Sequence, residues 1–290
     1  MNNELRLILD AHSICGEGAI WDEKNRKLYW VDNHLGFVHV YDPETNRDRA
    51  IDVGQPVGTV VPRESGGLML AVRDGFMSLD EMTRKTRLLA VPEGHNPENR
   101  FNDGKCDPAG RFWAGTLETP THKGCLFRLD KDLLVHRMLD NIRCSNGIVW
   151  SADNKTMYYI DTPTMRIDAF DYDLKTGTIS NRRAVVSVAG EHGQPDGMAI
   201  DIEGKLWVAH WDGCCVCRWD PTNGNLIQKV RLPVSRPTSC AFAGQNLDTL
   251  YVTSASAGLD AVALAKQPKA GGLFQFNPRV RGLTSFSFAG

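Results

Sequence analysis

The run EGAIWDEKNRKLYWVD, beginning at Glu17, returns in altered form along the chain. NGIVWSADNKTMYYID from Asn146 has the same plan, and DGMAIDIEGKLWVAH from Asp196 keeps it with a shorter turn. NDGKCDPAGRFWAGT from Asn102 follows it too, with Asp107 at the turn where Asp22 and Asp201 stand. Weaker copies begin at Val57, VGTVVPRESGGLMLAV, and at Thr238, TSCAFAGQNLDTLYVTS. About six copies, spaced roughly 40 to 50 residues apart, mark a repeat architecture. Each copy continues into two further strand-like runs, such as Phe37 to Tyr41 before Asp42-Pro43-Glu44-Thr45, or Val216 to Trp219 before Asp220-Pro221-Thr222-Asn223-Gly224. Hairpin and turn signals at such regular intervals describe short antiparallel strands.

A unit of about four strands repeated about six times predicts an all-β fold, a six-bladed β-propeller with four-stranded antiparallel blades. At 290 residues the chain has room for two small domains or one large β domain, and the repeat decides for a single propeller spanning 1–290. The alternating run Leu5 to Leu9 is expected to pair with Leu273 to Phe276 and close the ring. Helical periodicity is confined to LDAVALAK, Leu259 to Lys266, ahead of Pro268.

Composition excludes several function classes. The 33 basic and 35 acidic residues give a formal charge of -2 and are mixed along the chain, so no nucleic-acid or membrane footprint is expected. Met1 to Asp10 lacks the apolar core of a signal peptide, and no apolar run approaches the roughly 18 residues of a bilayer span. A cytoplasmic monomer follows as the expectation, with the eight cysteines reduced. Cys214-Cys215-Val216-Cys217 has no second cysteine pair at zinc-site spacing and reads as small strand residues. The eight histidines form neither His-Glu-x-x-His nor His-x-His.

In a propeller the first strand of each blade lines the central channel. The residue at one phase of the repeat therefore stands at an equivalent place around one channel end: Glu17, Val57, Asn102, Asn146, Asp196 and Thr238. Two carboxylates and two amides converge there. Crowded, desolvated carboxylates repel, and a divalent cation is the simplest compensation. Oxygen ligands suit calcium, magnesium or manganese, while zinc and ferrous iron also accept carboxylates. Taken singly, each such residue beside a glycine is an ordinary turn former; the shared phase is what favours a site. Arg100 lies two residues before Asn102 and shares its direction if the segment is extended. Arg100 and Glu118 read either as substrate-binding groups or as a surface ion pair. Trp21 and Trp150, at matching places, read as structural.

The motifs GEGAIWD, NRFNDGKCDPAGRFWAGT, CSNGIVWSADNKTMYYIDT, QPDGMAIDIEGKLWVAHW and LAKQPKAGGLFQF run in order from near residue 15 to near residue 276. With them the chain resembles the senescence marker protein, gluconolactonase and luciferin-regenerating enzyme family. The resemblance implies a metal-dependent hydrolase that opens sugar lactones to aldonic acids. Glu17, Asn146 and Asp196 match the family's metal-binding residues. Arg100, Asn102 and Glu118 match positions around the substrate, with Asn102 close enough to be a further ligand. Asp196 would act as general base on a water activated by the cation. After Glu118 only Thr119-Pro120-Thr121-His122-Lys123 precede Gly124, shorter than the loop of animal members, so substrate preference among glucono-, arabinono- and xylono-lactones stays open. The closing segment is more like that of bacterial sugar lactonases. Two alternatives remain: aryl-ester or organophosphate hydrolysis at the same metal, and a non-catalytic calcium-binding or protein-interaction propeller.

Overall fold

The computed structural model describes residues 4–92, 94, 96 and 98–290, so residues 1–3 of the Met1 to Asp10 segment lie outside it. Six antiparallel four-stranded sheets are formed. Their innermost strands are Gly16–Asp22, Val57–Pro62, Phe101–Cys106, Ser145–Trp150, Gln194–Ile200 and Pro237–Ala243. The six-bladed propeller expected from the repeat is thus the fold. Strands near the axis are covered on both faces and read as continuous apolar runs, as in Leu68–Val72, LMLAV, where every residue is buried. Outermost strands such as Arg47–Asp52, RDRAID, face solvent and are correspondingly polar.

The last blade takes its outermost strand from the chain's beginning. Arg6–Leu9 pairs antiparallel with Leu273–Phe276, setting Arg6 opposite Gln275 and Leu7 opposite Phe274. The ring is therefore closed by hydrogen bonds between segments at opposite ends of the chain. The one α-helix among the described residues is Ala261–Lys266, capped by Asp260, whose side chain accepts from the Ala263 N–H. All eight cysteines are free thiols. Cys215 and Cys217 are buried in the strand Cys215–Trp219 with sulfurs 3.6 Å apart, and Trp21 and Trp150 are buried between blades.

The repeat's turn aspartates hold the far ends of the innermost strands. Asp107 accepts from the Ala109 and Arg111 N–H groups at 3.0 Å each, from Arg111 Nε at 2.6 Å and from Trp113 Nε1 at 2.9 Å. Asp201 repeats the design with Glu203 and Lys205 N–H and Trp207 Nε1. After Phe276 the chain crosses this same far end, bridging Gly282 to Asp201, Phe286 to Cys106 and Phe288 to Arg63. Phe288 is fully buried in the core shared by the first three blades. Periodicity holds no sign of this closing segment, because it belongs to no repeat.

Asp107→Ala would take the only ion-pair partner among the described residues from the buried Arg111 guanidinium, which keeps just the neutral acceptors Tyr172 Oη and the Leu174 and Lys175 carbonyls, and would strand an indole N–H and two backbone N–H groups. We expect a loss of about 3–5 kcal/mol, read as a lower urea midpoint at unchanged m-value; a loss within that of an ordinary surface substitution would contradict this role.

Candidate functional site

The pairing of every innermost strand with its neighbour breaks register at one place: between Glu17 and Ile20, Val57 and Thr59, Phe101 and Gly104, Ser145 and Ile148, Pro195 and Met198, Pro237 and Cys240. A bulge re-aims a side chain out of the ladder, and here six bulges occupy one ring at the beginning of the innermost strands. Glu17, Asn102, Asn146, Asp196 and Thr238 are all buried in that ring. Glycines beside them admit close backbones. Gly18 has φ +60°, and a Cβ there would meet Thr59 of the next blade at 3.1 Å; a Cβ on Gly147 would lie 2.7 Å from the Asp196 carbonyl.

Two further aspartates, both at the end of a blade's second strand, hold the approach to these positions. Asp32 accepts from the N–H groups of Ile14 at 2.9 Å and Cys15 at 3.3 Å, just before Glu17. Asp161 accepts from the N–H groups of Arg143 at 3.2 Å and Cys144 at 2.8 Å, just before Asn146. The amides are fixed in turn. Asn102 Nδ2 donates to the Ser145 carbonyl at 2.8 Å and to Asn146 Oδ1 at 3.3 Å. Thr162 gives its only hydroxyl proton to the Pro195 carbonyl at 2.8 Å, so it can only accept from Asn146 Nδ2, also at 2.8 Å. Asn146 therefore has no choice of flip, and its Oδ1 faces the ring.

Burial, followed by the charge of Asp103, pushes the Glu17 carboxyl up to about 8. The Asp196 carboxyl is also held well above the usual range, first by burial, then by Glu17 and Asp103. Asp196 Oδ1 is buried with no hydrogen-bond partner, while Glu17 Oε2 accepts only a long 3.2 Å bond from Gly18. An unpartnered carboxylate oxygen, a second repelling carboxylate and a locked amide oxygen form a donor set that fits a hard divalent cation. Among the described residues no three His, Cys, Asp or Glu side chains are grouped to hold a metal. A cation here would therefore depend on the Asn146 oxygen and on water as well.

Arg100 reaches the ring as its spacing suggested, with Nη1 donating to Asn102 Oδ1 at 3.3 Å and to the Phe101 carbonyl at 3.2 Å. Glu118 does not pair with it. Its carboxylate is bound at the rim by Lys123 at 2.7 Å and Arg143 at 3.5 Å, and the Lys123 hydrogen bond is the chief reason it stays ionised below the usual range. Sequence reasoning missed three neighbours. Asp103 is buried beside Asn102, occupying the phase at which Gly18, Gly147 and Gly197 stand. Lys105, half-buried, reaches across the channel and donates from Nζ to the Met198 carbonyl. His34, on the turn after Asp32, has its imidazole held below the usual range by partial burial and by Arg100. The signal for the first two was their departure from the repeat.

The fold is a six-bladed propeller with carboxylate and amide oxygens gathered at one channel end, and comparison with known proteins places it further. Residues 15–256 match the model of the SMP-30/Gluconolactonase/LRE-like region, and the chain belongs to that family. It is 41% identical to human regucalcin over 295 aligned positions, covering 99% of each protein. Its structure resembles a luciferin-regenerating enzyme with a TM-score of 0.90 at 32% identity, covering 99% of this chain and 100% of that one. It also resembles a calcium-binding protein, regucalcin, from Agrobacterium tumefaciens with a TM-score of 0.93 at 27% identity, covering 98% and 97%.

The raised Glu17 carboxyl has a consequence for stability. A carboxyl whose folded-state pKa exceeds its unfolded value contributes stability fully below that unfolded value, about 4. The contribution is lost as pH climbs through about 8. Cation-free protein should accordingly lose thermal midpoint between about pH 5 and about pH 9, and Glu17→Gln should lose less. Equal slopes in the two proteins would contradict the assignment.

Proposed function

We propose that the chain hydrolyses sugar lactones to aldonic acids, with one divalent cation held by Glu17, Asn146 and Asp196. The observation that carries this reading is the buried, unpartnered Asp196 Oδ1 facing a second carboxylate at the channel end, within a family that includes gluconolactonases by description. A cation bound there would polarise an ester carbonyl and acidify a water. Asp196 takes the proton of the attacking water. Ligation keeps an aspartate ionised but weakens it as a base, so its service depends on short geometry to an already acidic water. Arg100, anchored on Asn102, presents its guanidinium to the negative charge that develops on the carbonyl oxygen. Asn102 and the ionised Glu118 orient ring hydroxyls, Glu118 from the rim.

The donor set admits calcium, magnesium, manganese, zinc or ferrous iron. Calcium draws support from the description of the Agrobacterium relative as calcium-binding. That same description supports a second reading, a calcium-binding propeller without catalysis. Glucono-, arabinono- and xylono-lactones differ in contacts made by rim loops, which set discrimination among such close analogues.

The test is acid release from a panel of pentono- and hexono-lactones followed with a pH indicator, with metal content measured on the same sample. Turnover should vanish on chelation and return with one equivalent of cation. Metal-stripped protein with unchanged turnover would overturn the metal reading; tight metal binding with no hydrolysis across the panel would favour the second one. Asp196→Asn should lower kcat by about 10²–10⁴ in protein shown to retain cation. Full activity in that variant would remove Asp196 as the base.

A further inference from the structure

Lys105 is the one residue at its phase of the repeat that carries a charge. The other blades place Ile20, Val60, Val149, Ala199 and Ala241 there. Four of those five share with Lys105 a cavity of about 330 Å³ at the channel end away from the ring, where Phe242 and Phe286 complete the apolar wall. The closing segment that carries Phe286 is fixed across this end: the Leu283 N–H donates to the Ile200 carbonyl at 3.1 Å, and Phe286 bridges to Cys106. The enclosure is therefore built by the inner strands and the closing segment together.

Two donors on its wall are left with capacity unused. Lys105, half-buried, gives one hydrogen bond to the neutral Met198 carbonyl, and among the described residues no carboxylate forms an ion pair with it. Lysine is seldom withdrawn from water without a partner of opposite charge. Trp150, 4% exposed, lines the same cavity, and its Nε1 is buried with no acceptor. The indoles of Trp113 and Trp207, by contrast, each donate to a turn aspartate. The hydroxyls of Ser151 and Thr284, also on the wall, are already engaged, donating to Asp153 at 2.6 Å and to Glu23 at 3.1 Å.

A mostly apolar cavity with a few placed polar groups is how small-molecule sites are generally built. Here the ammonium selects an anion and the walls select hydrocarbon. We propose that the far end of the channel is a second binding site, for an apolar monocarboxylate whose carboxylate rests on Lys105 and whose hydrocarbon body lies against the aliphatic and phenyl walls. At about 30 Å³ for each water-sized group, the cavity admits on the order of ten non-hydrogen atoms, the size of octanoate. Such a ligand supplies the counter-charge that Lys105 lacks. A sugar acid does not suit it, because hydroxyls buried against these walls would lose their hydrogen bonds to water without replacement. The site is thus chemically separate from the ring and requires neither a cation nor turnover there.

Calorimetric titration of the full chain with octanoate, octanol and acetate, with and without chelator, tests this. Octanoate should bind with a negative heat-capacity change. It should bind at least about tenfold more tightly than octanol, which has the body without the charge, or acetate, which has the charge without the body. Wild-type protein that takes up no octanoate, or takes up octanol equally well, overturns the proposal. Binding should be unaltered by chelator; binding that vanishes on chelation would put the carboxylate on a ring cation and overturn it as well. Lys105→Met should weaken octanoate by at least about tenfold and leave octanol unchanged, while Trp150→Phe should weaken octanoate by about threefold. A lysine that only braces Met198 would on removal weaken both ligands alike or neither, and either result overturns its role. Should Lys105→Met not fold, a crystal structure of the wild-type protein grown with octanoate decides: a carboxylate on Lys105 supports the site, and its absence from the cavity overturns it.

Discussion

At Gly58, Gly147 and Gly197 the backbones of neighbouring innermost strands approach too closely for a Cβ to fit between them, and most else in the structure follows from that contact. Gly147 lies against the Asp196 carbonyl and Gly58 against the Phe101 backbone, so at these places adjacent blades meet backbone to backbone. The register breaks at the same positions release one side chain per blade from the ladder. Close packing and convergence of polar groups are therefore one geometric event. A residue such as Asp196 cannot retreat to solvent, because the strand that carries it is fixed by neighbours on both sides.

Convergence creates an electrostatic problem that the surrounding residues only partly solve. Asp32 and Asp161 spend their charge on backbone N–H groups just outside the ring, and Asp107 and Asp201 do so at its far end. Those carboxylates are satisfied by the fold itself. Glu17 and Asp196 are not: one has a single long hydrogen bond and the other an oxygen with none. Buried polar atoms without partners are uncommon in folded proteins and call for an explanation in each case. The contrast between Asp32, Asp107, Asp161 and Asp201, whose oxygens are bound by the fold, and Glu17 and Asp196 within one repeat sets the ring carboxylates apart from the structural acids.

Periodicity exposes what every blade does and hides what a single blade does alone. The fold, the ring closure through Arg6–Leu9 and the convergence of Glu17, Asn146 and Asp196 were legible because each recurs or completes a recurrence. Asp103 and Lys105 stand where other blades carry glycines and apolar residues, so the repeat by itself does not mark them; only their departure from that pattern does. The closing segment after Phe276 has no counterpart to align with, yet it buries Phe288 beneath three blades. His34 sits in a turn between strands, where the repeat imposes no residue type. Its nearness to Arg100 arises only when the first and third blades are brought around the axis.

The ring and its rim obey different physics, and this divides the labour of the site. Ring residues are buried, hydrogen-bonded to backbone and held by contacts from two blades, so their geometry tolerates little change. Glu118, Lys123 and Arg143 are partly exposed, and their ion pairs are screened by solvent. The connection Thr119 to Lys123 that carries part of this rim closes on its own backbone, through Thr119 N–H to His122 carbonyl at 2.8 Å, and contributes nothing to the ring. On the lactonase reading proposed above, changes in its length or charge would alter which hydroxyls are read without disturbing the ring carboxylates. On that same reading, what must not move would be locked into the propeller's axis, and what discriminates among substrates would be hung outside it.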